Sequence, residues 1–272
     1  MVIQETRAEL NEMLKGIEKW EKDQKGLWFW EKLARLPFVL LDKLTPKFIH
    51  NKIGQAIDEL GNFIQSGGRY LIDKKGVLQK YFEEDLSELS PDERATIAIA
   101  KMDKAAKKLS EVRANTAMVQ GGTTGIGGLF TLAIDIPILL GLILKTIQEV
   151  AICYGYNPQE KQERIFIVKC LQFASSDVVG KKAILEELSM FNDNRENKQM
   201  MSQLQGWREV LMTYRDNFGW KKLFQMIPVA GMIFGAFINK STVKETAEVA
   251  MMLYRKRRVL ERLSLLEQEG KI

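Results

Sequence analysis

Histidine is nearly absent: His50 stands alone in a chain of 272 residues. Catalytic triads that run through imidazole and multi-histidine metal centres have almost nothing to be built from. Cysteine is scarce as well, with only Cys153 and Cys170. They form no Cys-x-x-Cys pair and no disulfide framework, which points to a reducing compartment. There are 6 prolines, and the 20 glycines cluster, so long stretches run without a breaker. No stretch alternates apolar and polar residues with period two over a useful length, and no fixed-period repeat appears. A Gly-x-Ser-x-Gly elbow is missing, and no lysine follows a glycine loop at the nucleotide-binding spacing. These absences weigh against an enzyme. The opening residues, Gln4-Glu5-Thr6-Arg7, turn polar almost at once, without the charged-then-apolar order of a secretory leader. Neither end carries a lipidation signal. The expected location is cytoplasmic, at the inner face of the plasma membrane.

What is present describes a folded, all-α chain. Hydrophobic residues make up 46% and charged residues 28%, the balance of a globular protein rather than a disordered one. The formal charge of +5 suits an anionic surface, but lysines and glutamates scattered on helix faces produce it equally well. Leu10, Leu14, Ile17, Trp20 and Leu27 recur at helical spacing and predict an amphipathic helix from Gln4 to Leu36, ended by Pro37. Residues 1–36 are therefore read as an N-terminal helix and 37–272 as a helical domain, together one compact unit. Ser90-Pro91-Asp92-Glu93 has the order of a capping box with proline in the first turn, and predicts a helix running to about Gln120. Tyr154-Gly155 predicts a glycine-terminated helix end. Asn157-Pro158-Gln159-Glu160 predicts the start of the next helix, and a last helix is expected from about Thr242 to Glu267.

Two nearly uncharged stretches stand at the centre of this pattern. One follows Gly121, Gly122, Gly125 and Gly128 and extends to Leu144, broken only by Asp135; its length from Gly125 meets what a bilayer span needs. The other runs from Leu223 to Asn239 and contains Pro228, Gly231 and Gly235. Gly231-x-x-x-Gly235 permits close helix approach in water or in lipid. Three fates fit such segments: a buried helix pair in a soluble bundle, insertion into a bilayer, or reversible contact with its surface. The expected architecture is a multi-helix bundle around these two segments. Asp135 has two readings. As the N-cap of a helix beginning at Ile136, it is followed by Pro137 in the first turn without strain, and this is the reading preferred. As a buried acid in line with Thr131, Thr146 and Glu149, it would bind a cation or move a proton. The glycine cluster itself looks superficially phosphate-binding, but it follows a helix and lacks the third glycine of a dinucleotide loop. No cofactor and no metal are expected.

Aromatic and basic residues supply candidate membrane contacts. Trp28 and Trp30 stand beside Lys32 and Arg35, the combination that settles at a headgroup boundary, or else packs against another helix. Arg255-Lys256-Arg257-Arg258 is the kind of run that covers a solvated face or, standing as it does beside an apolar strip, grips anionic lipid. No nucleic-acid motif accompanies it.

The run from Gln120 through Gly128 to Leu129, then Asp135-Ile136-Pro137, then Tyr154-Gly155-Tyr156, resembles the EcsC family. Ile227-Pro228-Val229-Ala230-Gly231, then Gly235, Asn239, Ala247, Tyr254 and Arg255, resembles that family's C-terminal signature. The likeness extends in order from about Trp28 to Arg258; Ala230 fills a slot often held by another small or branched residue. The family takes its name from a component encoded with a bacterial ABC transporter. The resemblance implies association with membrane transport or secretion, and it brings no catalytic residue. The expectation is thus a non-enzymatic, membrane-associated accessory protein whose partners are a lipid surface, a membrane transporter, or both. The alternatives are a soluble helical scaffold with both apolar segments buried, and a hydrolase using Asp135.

Overall fold

In a computed structural model of the chain, the residues described are 4–24, 62–63, 66–67, 72–124, 129–176, 178–190 and 228–269. They form an all-α bundle: α1 (Arg7–Asp23), α2 (Lys74–Tyr81), α3 (Pro91–Ala95), α4 (Ile99–Thr124), α5 (Leu129–Cys153), α6 (Lys161–Ser175), α7 (Val178–Met190) and α8 (Pro228–Glu269). No strand occurs among the described residues. The part of the expected N-terminal helix beyond Gln24 lies outside them.

Local chemistry sets the ends. Thr6 caps α1 through a reciprocal box: the Glu9 N–H donates to Thr6 Oγ1 at 3.3 Å, and the Thr6 N–H donates to Glu9 Oε2 at 2.8 Å. Leu10 and Ile17 turn inward, as their spacing requires. Ser90 and Glu93 form the same box at α3, as predicted. The helix nevertheless stops at Ala95 instead of continuing to Gln120. The cause lies far away in sequence. Arg262 Nη2 takes up the carbonyls of Ala95 and Ile97 at 2.8 and 2.6 Å, and Glu5 Oε1 accepts the first N–H of α4, from Ile99, at 2.6 Å. One buried arginine thus ends a helix and one glutamate starts the next.

Three further boundaries differ from expectation. α6 begins at Lys161, not at Asn157, because the Asn157 side chain and carbonyl are used by Gln159 and Glu160 in a turn. α5 runs unbroken through Asp135 and Pro137, so Asp135 is not an N-cap. A proline removes one backbone bond, here to the Ala133 carbonyl, and the helix keeps the others on either side. The described part of the second apolar segment, from Pro228 to Asn239, and the last helix are one helix, α8, about 63 Å long at 1.5 Å per residue. No glycine or proline interrupts Lys240-Ser241-Thr242. Ser241 bonds Glu245 at 2.6 Å, and Thr246 donates to the Thr242 carbonyl at 2.8 Å, so these hydroxyls are satisfied along the helix instead of capping a new one.

A ladder of contacts fixes the register of the central helices. Asp103 of α4 meets Tyr154, just past α5, at 2.6 Å and Arg255 of α8 at 3.2 Å. Arg113 meets Glu149 at 2.5 Å, Met118 Sδ lies 3.9 Å from Lys240 Nζ, and a Cβ on Gly122 would stand 3.7 Å from that of Ala236. α4 is therefore antiparallel to both α5 and α8. The interior between them holds Leu109, Ile143, Leu144, Ile147, Val150, Val243 and Ala250, all buried.

Candidate functional site

The two ends of this three-helix core have opposite chemistry. At one end, α5 closes on Gly155, whose φ of +84° supplies the left-handed residue of a Schellman turn. Tyr156 N–H bonds the Ala151 carbonyl at 2.9 Å and Gly155 N–H that of Ile152 at 3.0 Å. Around this turn three tyrosines each donate to a carboxylate that also faces an arginine: Tyr154 to Asp103 (2.6 Å) beside Arg255, Tyr254 to Glu163 (2.6 Å) beside Arg257, and Tyr156 to Glu261 (3.0 Å) between Arg257 and Arg258. Arg258 also takes the free Tyr154 carbonyl from Nε at 3.2 Å and Nη2 at 2.6 Å, a cation on the negative end of a helix. Arg257 and Arg258 lie over the Tyr156 ring, 4.2 and 4.3 Å from its centroid.

The basic run is therefore paired within the bundle. Arg255 faces Asp103, Lys256 pairs with Glu21 at 2.7 Å, Arg257 with Glu163 and Arg258 with Glu261. Its charges are spent inside the bundle because each meets an acid of α1, α4, α6 or its own helix. Burial pushes the Asp103 and Glu163 carboxyls up, against the pull of Arg255 and Arg257, and pushes the Tyr154 and Tyr254 phenols well up. Every hydroxyl and carboxylate in this cluster has a partner, which makes it a lock between the helices. A further pair, Arg113 with Glu149, sits midway along the core, with Glu149 buried.

At the other end the glycines gather. Gly121 is buried at the last turn of α4, Gly122 faces Ala236, and Asn239 is fully buried. The helix backbone carries Asp135, Pro137, Pro228, Gly231 and Gly235 into the same end, while their side chains, and Gly125 and Gly128 altogether, lie outside the described residues. Trp28, Trp30, Lys32 and Arg35 lie outside them too. Large apolar side chains face solvent here: Val119 and Phe237 are 69% exposed, Ile138 47% and Met118 44%. The ladder puts them within about two helical turns of one another along the core axis. Met118 and Val119 are within a turn of Gly122, Phe237 follows Ala236, and Ile138 lies about 16 Å above Glu149, as Thr124 does above Arg113. No other large hydrophobic residue is exposed among the residues whose side chains are described. Sequence reading found the segments but not these four positions, because which side of an apolar helix stays uncovered depends on its neighbours.

Among the described residues no helix is long and apolar enough to cross a membrane, and no group of three or more His, Cys, Asp or Glu is placed to hold a metal ion.

Comparison with known proteins agrees with the glycine and tyrosine motifs. The sequence profile of the EcsC protein family matches residues 11–259. A Bacillus subtilis (strain 168) protein named "Uncharacterized protein YdbA" is 56% identical over 268 residues, 97% of this chain and 98% of that one. "Protein EcsC" of the same organism is 25% identical over 225 residues, covering 83% of this chain and 85% of its own. No solved structure matches.

Proposed function

The chain belongs to the EcsC family, and from that premise we propose that it is a non-enzymatic accessory protein of a membrane transport or secretion process, docking reversibly on the membrane by the glycine-rich end of its core. The observation that carries the reading is the confinement of exposed Met118, Val119, Ile138 and Phe237 to that end. Exposed apolar groups scattered singly need no explanation, but grouped ones mark a contact surface. Their neighbours extend the apolar character: from Ala114 to Leu144, Asp135 is the one charge. The polar lock at the opposite end holds α4, α5 and α8 in register, so the apolar end is presented as one rigid unit. The link to transport rests on the association the family resemblance implies. The place at the inner face of the plasma membrane is part of the same proposal.

Vesicle flotation of the full chain tests it. The wild type is expected to rise with vesicles of equal parts phosphatidylglycerol and phosphatidylcholine, and Val119→Glu/Phe237→Glu to stay behind with an unchanged circular-dichroism melt. Flotation of the variant equal to that of the wild type refutes this use of the apolar end.

A further inference from the structure

Just behind the apolar end, the first charges on the outward faces of α5 and α8 are all lysines. On α8, Phe237, Lys240 and Lys244 are spaced i, i+3, i+7 and so share one face; on α5, Ile138 and Lys145 are spaced i, i+7 and do the same. Lys240 follows Phe237 by about 4.5 Å along the axis, and Lys244 and Lys145 follow their apolar partners by about 10 Å. Lys240 and Lys145 are half-buried and Lys244 is exposed, the state of lysines whose stems run along apolar surface with the ammonium outside. Of the nearest acids, Glu149 is tied to Arg113, while Glu245, beside Lys244, and Glu248, one turn beyond it, accept from Ser241 and Trp20 at 2.6 and 3.2 Å. On α4 no charge occurs from Ala114 to Thr124.

We propose that Lys145, Lys240 and Lys244 form a cationic collar that engages the phosphate layer of an anionic bilayer while Ile138 and Phe237 enter the acyl boundary, with Met118, 3.9 Å from Lys240, and Val119 at the level of the collar. This rests on the membrane reading above and adds the lipid class and the orientation: the core stands end-on, glycine-rich end down. The spacing matches the target. An apolar face sinks about 5–10 Å below the headgroups, and the collar lies at that distance behind Phe237 and Ile138. Charge complementarity commits the surface to anionic lipid, since lysines near such a leaflet each strengthen binding about fivefold.

The test is flotation of the full chain with vesicles of phosphatidylcholine alone and of equal parts phosphatidylcholine and phosphatidylglycerol, at low and high salt. The wild type should partition more strongly onto the anionic vesicles, with the difference shrinking at high salt. Lys145→Gln/Lys240→Gln/Lys244→Gln should lose on the order of 100-fold there and nothing on phosphatidylcholine, while the triple Lys→Arg variant keeps wild-type binding. Equal wild-type binding to both vesicles, or full binding by the glutamine variant, overturns the collar and leaves apolar docking standing. Wild-type flotation with neither vesicle overturns the membrane reading itself.

Discussion

Replacing Gly155 with alanine should unfasten the polar end of the core. The backbone there has φ +84°, a conformation that costs an L-residue roughly 1–2 kcal/mol. The added Cβ would stand 3.1 Å from Arg258 Nη2 and 3.6 Å from the Arg94 carbonyl carbon and oxygen. A flexible side chain would step aside at little cost, but Arg258 is held by two bonds to the Tyr154 carbonyl, one to Glu261, and the Tyr156 ring. Weakening one bond of a charged group costs about 1.5–3 kcal/mol. The two contributions together predict a loss of about 2.5–5 kcal/mol in urea denaturation. An Arg258→Met background separates them: there the same Gly155→Ala change should cost only the backbone part, about 1–2 kcal/mol. A cost below about 0.5 kcal/mol in the wild type, or the same cost in both backgrounds, would refute the reasoning.

The Arg113–Glu149 pair supplies a second prediction. Arg113→Met leaves Glu149 buried without its cation and should cost about 3–5 kcal/mol in urea denaturation, whereas Arg113→Met/Glu149→Leu should recover most of it; no recovery would contradict the pairing. The pH dependence is a third. Folding raises the Asp103 and Glu163 carboxyls above their unfolded values, so their contribution is full below the unfolded pKa and disappears as pH rises through the folded one. The fall in melting temperature on raising the pH out of the acid range should be shallower in Asp103→Asn/Glu163→Gln, and an unchanged slope would count against burial as the cause.

Features written in neighbouring residues were legible in the sequence, and features made by distant ones were not. The Ser90 box, the Gly155 terminator and the inward Leu10 and Ile17 each depend on a few adjacent positions, and the all-helical fold follows from many such signals. The break between α3 and α4 depends on Glu5 and Arg262, which lie 94 and 165 residues from the backbone groups at Ile99 and Ile97 that they hold. No local pattern announces it. Asp135 followed by Pro137 has the order of a cap, yet the helix passes through, because a single missing N–H is a smaller loss than ending the helix. The pairing of the basic run was hidden for a similar reason. Glu261 stood at the right i+3 and i+4 spacing to warn of pairing with Arg258 and Arg257, but Asp103, Glu21 and Glu163 are brought in only by the fold. At the candidate site the sequence marked the glycine segments. The exposed quartet and the lysines behind it emerged once α4, α5 and α8 were set in register.

The central claim is that one end of the core enters the lipid and the other stays in water. An environment-sensitive fluorophore on an introduced cysteine reports this directly, since the native Cys153 and Cys170 are buried. With phosphatidylglycerol-containing vesicles, a probe at Phe237→Cys should shift to the blue, while one at Lys75→Cys, on α2, should not change. A shift at Lys75 with none at Phe237, or no shift at either position, would contradict it.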